Sequence, residues 1–326
     1  MGASKEYWIG FDLGGTKMLA TIYNHKFERV GSKRKKTKGA EGVDAIIDRM
    51  FEAIQEAMDE AKIAKDDIGG IGVGCPAPLD LDKGIVLEAP NLGWHDVPLK
   101  DILEKKFKCP TVLANDVDAG TYGEYRFGAA KGGRCVVGIF PGTGIGGACV
   151  YEGKLLRGKT GSCMEIGHVK VQYGGRPCGC GRKGCLETVA SRLAISADAA
   201  MAAYRGEAPH LLEIAGTDLR EIRSGVLADA IKAGDKVIEQ IVRSAAKHIG
   251  NSASNVVNLL APDVVVLGGG LVEAMEGLFL DEVRKAIGKQ AMLSYVKTVD
   301  VVAAKLGDDA AVMGAAALAE EAAAKE

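Results

Sequence analysis

The stretch KEYWIGFDLGGTKMLATIYN, residues 5–24, constrains the fold more than any other part of the chain. Apolar and polar residues alternate on both sides of a Gly-Gly pair, which predicts two strands joined by a tight hairpin turn. The stretch RCVVGIFPGTGIGGACVYEGKLL, residues 134–156, repeats the pattern with an apolar run, a Gly/Thr turn and a second strand. This weak internal repeat predicts two domains, each opening with a glycine turn of a size to face a phosphate. A chain of 326 residues is long enough for two domains around a cleft.

The remaining segments fit an α/β protein with two sheets. RVGSKRKKTK (29–38) predicts a third strand or its exit. Its Lys33, Arg34, Lys35, Lys36 and Lys38 read as a solvated strand edge rather than a nucleic-acid patch. Residues 42–63 repeat apolar side chains at helical spacing, and IGGIGVG (68–74) is a buried strand. Residues 77–99 read as a long loop punctuated by Pro and Gly. TVLAND (111–116) is a strand running into a helix. Helices dominate to about residue 260, including one long helix over 235–260. PDVVVLGGG (262–270) is a strand ending in three glycines, followed by a helix (272–287), a strand (296–305) and a terminal helix (308–326). The best chain break lies near 116–118.

Hydrophobic residues make up 47% and charged residues 26%, as in an ordinary globular protein. A net charge of −2 favours neither nucleic acid nor an anionic membrane as partner. No apolar run approaches the roughly 18 residues of a membrane helix. The start lacks a signal-peptide core, and Glu6 breaks the myristoylation pattern, so the expected location is the cytoplasm.

The glycine turns carry the first chemistry. GTGIGG (142–147) formally matches the dinucleotide fingerprint, but a strand follows where that motif needs a helix. Glycines nevertheless let backbone N–H groups approach an anion closely. Asp12, at the end of the first strand, suits Mg²⁺, while Thr16 and Lys17 suit terminal phosphates. Singly these are ordinary hairpin turns. Together with LGGG (267–270), they point to a nucleotide.

CGCGRKGC (178–185) places three cysteines in eight residues. A disulfide staple, a redox motif and a metal site compete to explain it. Eight cysteines are too sparse for a disulfide scaffold, and Cys178 and Cys180 are spaced C-x-C rather than C-x-x-C. Cys75, Cys109, Cys135, Cys149 and Cys163 read as small core residues. Asn115 and Asp116 suit a helix N-cap as well as chemistry.

DLGGTK (12–17), ND (115–116), GTGIGG, EIGH (165–168) and CGCGRKGCLE (178–187) occur in that order. In this combination the chain resembles the ROK family of sugar kinases and related repressors, within the actin-like ATPase superfamily. The resemblance implies two actin-like, ribonuclease H-like domains around a central cleft, with a zinc-bearing loop in the second. The first would comprise residues 1–117 with 308–326, the second 118–307. It implies a zinc held by His168, Cys178, Cys180 and Cys185. Four N/S ligands close a tetrahedral site and leave no position for a metal-bound nucleophile, so the zinc is expected to be structural. Such a metal would fix a loop with little core of its own.

The resemblance further makes Asp116 the general base and places Asn91, Asn115, Glu165, His168 and Glu187 at the sugar. Asp12 would orient Mg²⁺. Gly14, Gly15, Thr16 and Lys17 would line one phosphate turn, Gly142, Thr143 and Gly144 the other, and Gly268, Gly269 and Gly270 would lie against adenosine. The ligands would sit between domains that close on binding and exclude water. The implied activity is ATP-dependent phosphorylation of the glucose 6-hydroxyl in a homodimer or homotetramer. Alternatives are another sugar (fructose, mannose, N-acetylmannosamine, N-acetylglucosamine or allose), polyphosphate as donor, or a non-catalytic sugar sensor. ATP is preferred because no extra basic run lines the glycine turns. A repressor is disfavoured because only about five residues precede the first strand, too few for a helix-turn-helix domain. Cys163 and Met164 stand where the family often has Gly or Ala, Ala148 replaces a common glycine, and Arg192 occupies a position that is often small.

Overall fold

A computed structural model describes residues 6–159, 161 and 163–325. The chain parts into two compact units, the first built from residues up to 132 with 154–163 and 308 onward, the second from 133–153 and 164–307.

In the first unit, β1 (Tyr7–Leu13) and β2 (Lys17–Tyr23) form the expected antiparallel hairpin around the glycine turn. β3 (Arg29–Lys36) adds antiparallel to β2. Helix α1 (Val43–Ala61) crosses over with Ile46, Met50, Ile54 and Ala57 buried on one stripe, and returns the chain to β4 (Ile68–Cys75), parallel to β1. The basic run of β3 is largely neutralised by α1 and by the acids after residue 307. Lys33 pairs with Glu56 (2.6 Å), Lys35 with Glu52 and Glu56 (2.7 Å each), and Arg34 with Asp308 (3.1 Å).

Residues 77–99, expected to be a loop, instead hold a small antiparallel sheet of β5 (Leu79–Asp80), β6 (Ile85–Ala89) and β7 (Trp94–Val97). Its strands are too short for a period-2 pattern to stand out, and Leu79, Val86, Ala89, Trp94 and Val97 are buried along it. Helix α2 (Leu99–Phe107) then leads to β8 (Thr111–Asn115), parallel to β4, and to α3 (Asp116–Arg126). The sheet order is β3-β2-β1-β4-β8. Helix α3 packs on the C-terminal helix (Ala310–Ala323), so the first unit runs past 116–118 to residue 132.

The second unit repeats the topology. β9 (Cys135–Pro141) and β10 (Ile145–Tyr151) form the second hairpin around Gly142–Gly144. β11 (Val264–Leu267) runs parallel to β9, and β12 (Asp300–Ala303) parallel to β11, so that β10-β9-β11-β12 are four consecutive strands of a five-stranded sheet. The helix predicted over 272–287 breaks at Met275 into Gly270–Ala274 and Glu276–Gln290. The strand predicted over 296–305 is confined to β12, because Leu293–Val296 closes a helical turn instead. The helix Lys236–Leu260 buries Ile238, Val242, Ala246, Ile249, Ala253 and Val257 along one face. Among the described residues, no helix is long and apolar enough to cross a membrane.

The C-terminal helix lies almost on the backbone of the first sheet. A Cβ on Gly72 of β4 would fall 1.8 Å from Ala315 O, and one on Gly10 of β1 would fall 1.9 Å from Val312 O. Gly314 of the helix sits equally close to α3, with a Cβ position 1.7 Å from Ala119 O. These contacts are backbone against backbone, so no rotamer change can relieve an added methyl group. Gly72→Ala should therefore destabilise the protein by at least about 2 kcal/mol, the scale of core overpacking. Gly288→Ala, in an exposed helical position with open space around it, should leave stability unchanged or raise it by up to ~1 kcal/mol. Denaturant unfolding of the two variants checks the difference, and equal midpoints would contradict the packing account.

Candidate active site

In the first unit the candidate residues gather at the carboxyl ends of adjacent parallel strands. Asp12 pairs with Gly74 in the β1–β4 ladder, and Cys75 pairs with Asn115 in the β4–β8 ladder. Asp116 follows Asn115 directly. Open α/β sheets bind ligands at this edge, because the loops leaving it are free to carry polar groups. Asn115 is the N-cap of α3, its Oδ1 accepting from Val117 N at 2.9 Å. Asp116 Oδ1 accepts from the same N–H at 2.9 Å. Asp116 Oδ2 accepts no hydrogen bond from another residue among the described ones. The cap and a spare carboxylate oxygen therefore come from neighbouring residues.

This edge is electrostatically costly. Burial, followed by the carboxylates of Asp116 and Asp308, pushes the Asp12 carboxyl up to about 7 against the pull of Arg34. Burial also raises Asp116, opposed by the Val117 N–H. The Cys75 thiol, wholly buried beside both, is pushed up to about 12 by burial and by their charge. A carboxyl that titrates near neutrality among other acids gains from a cation, so Asp12 has the chemistry expected of a residue orienting Mg²⁺.

The turn that carries Gly14, Gly15, Thr16 and Lys17 is held by a residue outside the motif. Thr37, fully buried, donates from Oγ1 to Gly14 O (2.6 Å) and from its N–H to Thr16 O (2.9 Å). Arg49 in turn donates to Thr37 O at 2.7 Å. Thr37 sits within the basic run of the sequence, where charge masks it. Asn91 lies in the turn Pro90–Leu92, its Cβ 3.6 Å from where a Cβ on Gly15 would stand. The main chain of Thr16 and Lys17 follows the turn and their side chains are exposed.

In the second unit the structure brings two glycine turns together. A Cβ on Gly269, which has φ +85°, would lie 3.0 Å from Pro141 O, one residue before Gly142. Gly268 is limited by the Phe140 ring, 2.3 Å from its Cβ position, and Gly270 begins the short helix. Around the other turn, Gly142 N donates to Gly144 O at 2.8 Å. Glu187 Oε2 accepts from Ile145 N at 3.1 Å and occupies the space a side chain on Gly144 would need. Arg192 donates from its N–H to Gly142 O (2.8 Å) and from Nη2 to Thr143 Oγ1 (3.0 Å). A cation therefore reaches this turn from outside the glycine motif. One arginine, forty-nine residues downstream, reaches Thr143 because the helix Arg192–Tyr204 starts beside it.

The four predicted metal ligands converge. One donor atom from each of His168, Cys178, Cys180 and Cys185 lies within 4.8 Å of every other. His168 Nδ1 is 3.5 Å from Cys178 Sγ, and Cys180 Sγ is 3.8 Å from Cys185 Sγ. Tetrahedral Zn²⁺ with Zn–S of about 2.3 Å and Zn–N of about 2.0–2.1 Å sets its ligands roughly 3.5–3.8 Å apart, so the set fits that ion. Lys170 Nζ lies 3.4 Å from Cys185 Sγ, placing a positive charge beside a ligand set that needs thiolates. Glu187 Oε1 is 3.8 Å from Cys178 Sγ, so one carboxylate touches both the cluster and the glycine turn. Glu165 is exposed and opens the helical turn Ile166–His168. Met164 has φ +58° and packs against the unit's core, a backbone state that glycine adopts at lower cost.

Comparison with known proteins gives this geometry a context. The ROK family matches over residues 8–322. A glucokinase from Halalkalibacterium halodurans is 33% identical over 95% of this chain and 94% of its own. The solved structure of a ROK family glucokinase from Streptomyces griseus in complex with glucose and AMPPNP has a TM-score of 0.81 and 32% identity, covering 97% of this chain and 99% of its own. A putative xylose repressor from Caldicellulosiruptor is 31% identical over 95% of this chain but only 77% of its own length. With a match that spans nearly every described residue and the motifs standing in order within it, the chain belongs to the ROK family.

Proposed function

We propose that the protein is an ATP-dependent sugar kinase that transfers the γ-phosphoryl group to the 6-hydroxyl of glucose. The observation that carries this reading is Asp116, a half-buried carboxyl with a raised pKa and a spare Oδ2 at a parallel strand end. Glucokinases among the relatives support glucose as the acceptor.

Phosphoryl transfer asks for positioning and charge neutralisation more than for covalent chemistry. Asp116 Oδ2 accepts the proton of the sugar hydroxyl as that oxygen attacks the γ-phosphorus, and the bond to the bridging oxygen of ADP breaks. Burial makes Asp116 a stronger base than an exposed carboxylate, and the Val117 N–H fixes its rotamer. Asn115 caps α3 and presents its amide to the sugar, with Asn91, Glu165, His168 and Glu187 assigned to the remaining hydroxyls. On the donor side, Gly14, Gly15, Thr16, Lys17, Gly142, Thr143 and Gly144 are assigned to phosphates, and Gly268, Gly269 and Gly270 to adenosine. Mg²⁺, oriented by Asp12, would supply positive charge to the phosphates. Zn²⁺, held by His168, Cys178, Cys180 and Cys185, would supply rigidity to the loop that carries Glu165 and Glu187.

A sugar-responsive regulator without turnover is the second reading, favoured by the xylose repressor relative. Sugar-dependent ADP release by the wild type decides between them, and the base is tested by Asp116→Asn. The substitution should lower turnover by about 10²–10⁴-fold while leaving glucose affinity within a few-fold. The wild-type rate should fall on the acid side at a pH above the ordinary carboxylate range near 4, since the base must be ionised. Near-normal turnover in the variant would sink the assignment of the base. Removal of zinc with a strong chelator should lower the melting temperature and raise amide hydrogen exchange across 164–187 first. Unchanged melting and exchange after elemental analysis proves metal loss would refute the structural zinc.

A further inference from the structure

Arg192 is the first residue of the helix Arg192–Tyr204, whose N-cap Ser191 accepts from Ala194 N at 3.2 Å. Two bonds tie it to the second glycine turn, and they differ in kind. The N–H to Gly142 O bond needs no side chain, whereas the Nη2 to Thr143 Oγ1 bond spends a full positive charge on a neutral hydroxyl. A guanidinium has five N–H donors and a planar fork suited to phosphate oxygens, so most of its capacity remains unused there. The same side chain lines a cavity of about 620 Å³ with Leu193, Leu219, Arg220, Arg223 and Ser224. That volume is in the range of small-molecule sites. Ser224 Oγ lies 3.6 Å from the Cβ position of Gly270, so the cavity adjoins the third glycine turn as well. Arg220 is committed to Asp218 at 2.7 Å, and Arg223 donates from Nε to Arg220 O at 3.1 Å.

We propose that Arg192 is a donor-binding residue whose guanidinium grips the phosphate chain at the Gly142–Gly144 turn and sets the preference for polyphosphorylated donors over monophosphates. This rests on the kinase reading. The glycine turn offers an anion only neutral N–H groups. Arg192 adds charge-assisted bonds whose number grows with phosphate chain length.

The test is equilibrium binding of ATP, ADP, AMP and inorganic tripolyphosphate to the full-length wild type, Arg192→Ala, Arg192→Lys and Arg192→Gln. Arg192→Gln keeps a donor for Thr143 without the charge. Arg192→Ala and Arg192→Gln should weaken ATP and tripolyphosphate by about 10- to 100-fold, with AMP and glucose within about two-fold. Arg192→Lys should fall between them and the wild type. The salt dependence of ATP binding should also become shallower in the uncharged variants. Equal weakening of ATP and AMP would show that Arg192 merely holds the turn, and unchanged ATP binding would show that it touches no donor; either overturns the inference alone. A wild type that binds no nucleotide would overturn the kinase reading and this inference with it.

Discussion

The first unit depends on one contact, the C-terminal helix pressed backbone to backbone against β1, β4 and α3. Gly10 and Gly72 let the helix reach the two central strands, and Gly314 lets α3 reach the helix. The same three elements carry Asp12 at the end of β1, Cys75 at the end of β4 and Asp116 at the start of α3. Close packing of this kind transmits displacement rather than absorbing it, because interiors have few voids. The positions of two carboxylates are thus tied to close glycine contacts nearby, since Gly10 lies two residues before Asp12 and Gly314 meets Ala119, three residues after Asp116. Placing acids so near each other costs free energy, seen in the Asp12 carboxyl rising to about 7. A fold selected for stability alone would not keep them. A fold that binds a cation and moves a proton has reason to.

The second unit solves a related problem with polar contacts. Its glycine turn is fixed by Glu187 on one side and Arg192 on the other, and Glu187 also touches the cysteine cluster. The loop 168–186 is largely exposed and has few apolar side chains of its own, so its shape rests on ligand-set geometry and on turns such as Cys178 N to Arg182 O at 2.8 Å. A bound metal therefore has consequences at the glycine turn, through one carboxylate.

Some of this was legible in the sequence for identifiable reasons. The two hairpins showed because each has a Gly/Thr turn between long apolar runs, and both units do open with that hairpin. The cysteine cluster stood out because C-x-C…C spacing is rare without a purpose, but the metal and His168 came only with the family resemblance; the four donor atoms do converge. The β5–β7 sheet was hidden because its strands run to five residues at most and its Pro and Gly content resembles a loop. Asn115 and Asp116 admitted two roles in the sequence, and the structure gives the cap to Asn115 without deciding the chemistry of Asp116. Thr37, Lys170 and Asp308 were illegible as site neighbours, and Arg192 stood out only as a departure at a position often small in the family, since each reaches its partner through tertiary contact rather than local spacing. Thr37 and Gly14 are twenty-three residues apart, and Arg192 and Thr143 forty-nine.

The central claim is that these residues phosphorylate a hexose. The most direct measurement is the initial rate of ADP release from Mg-ATP with a panel of hexoses and N-acetylhexosamines, using folded, zinc-loaded protein. The account predicts turnover that is fastest with glucose and absent without sugar. No sugar-dependent ADP release from any member of the panel would contradict it and bring the sensor reading forward.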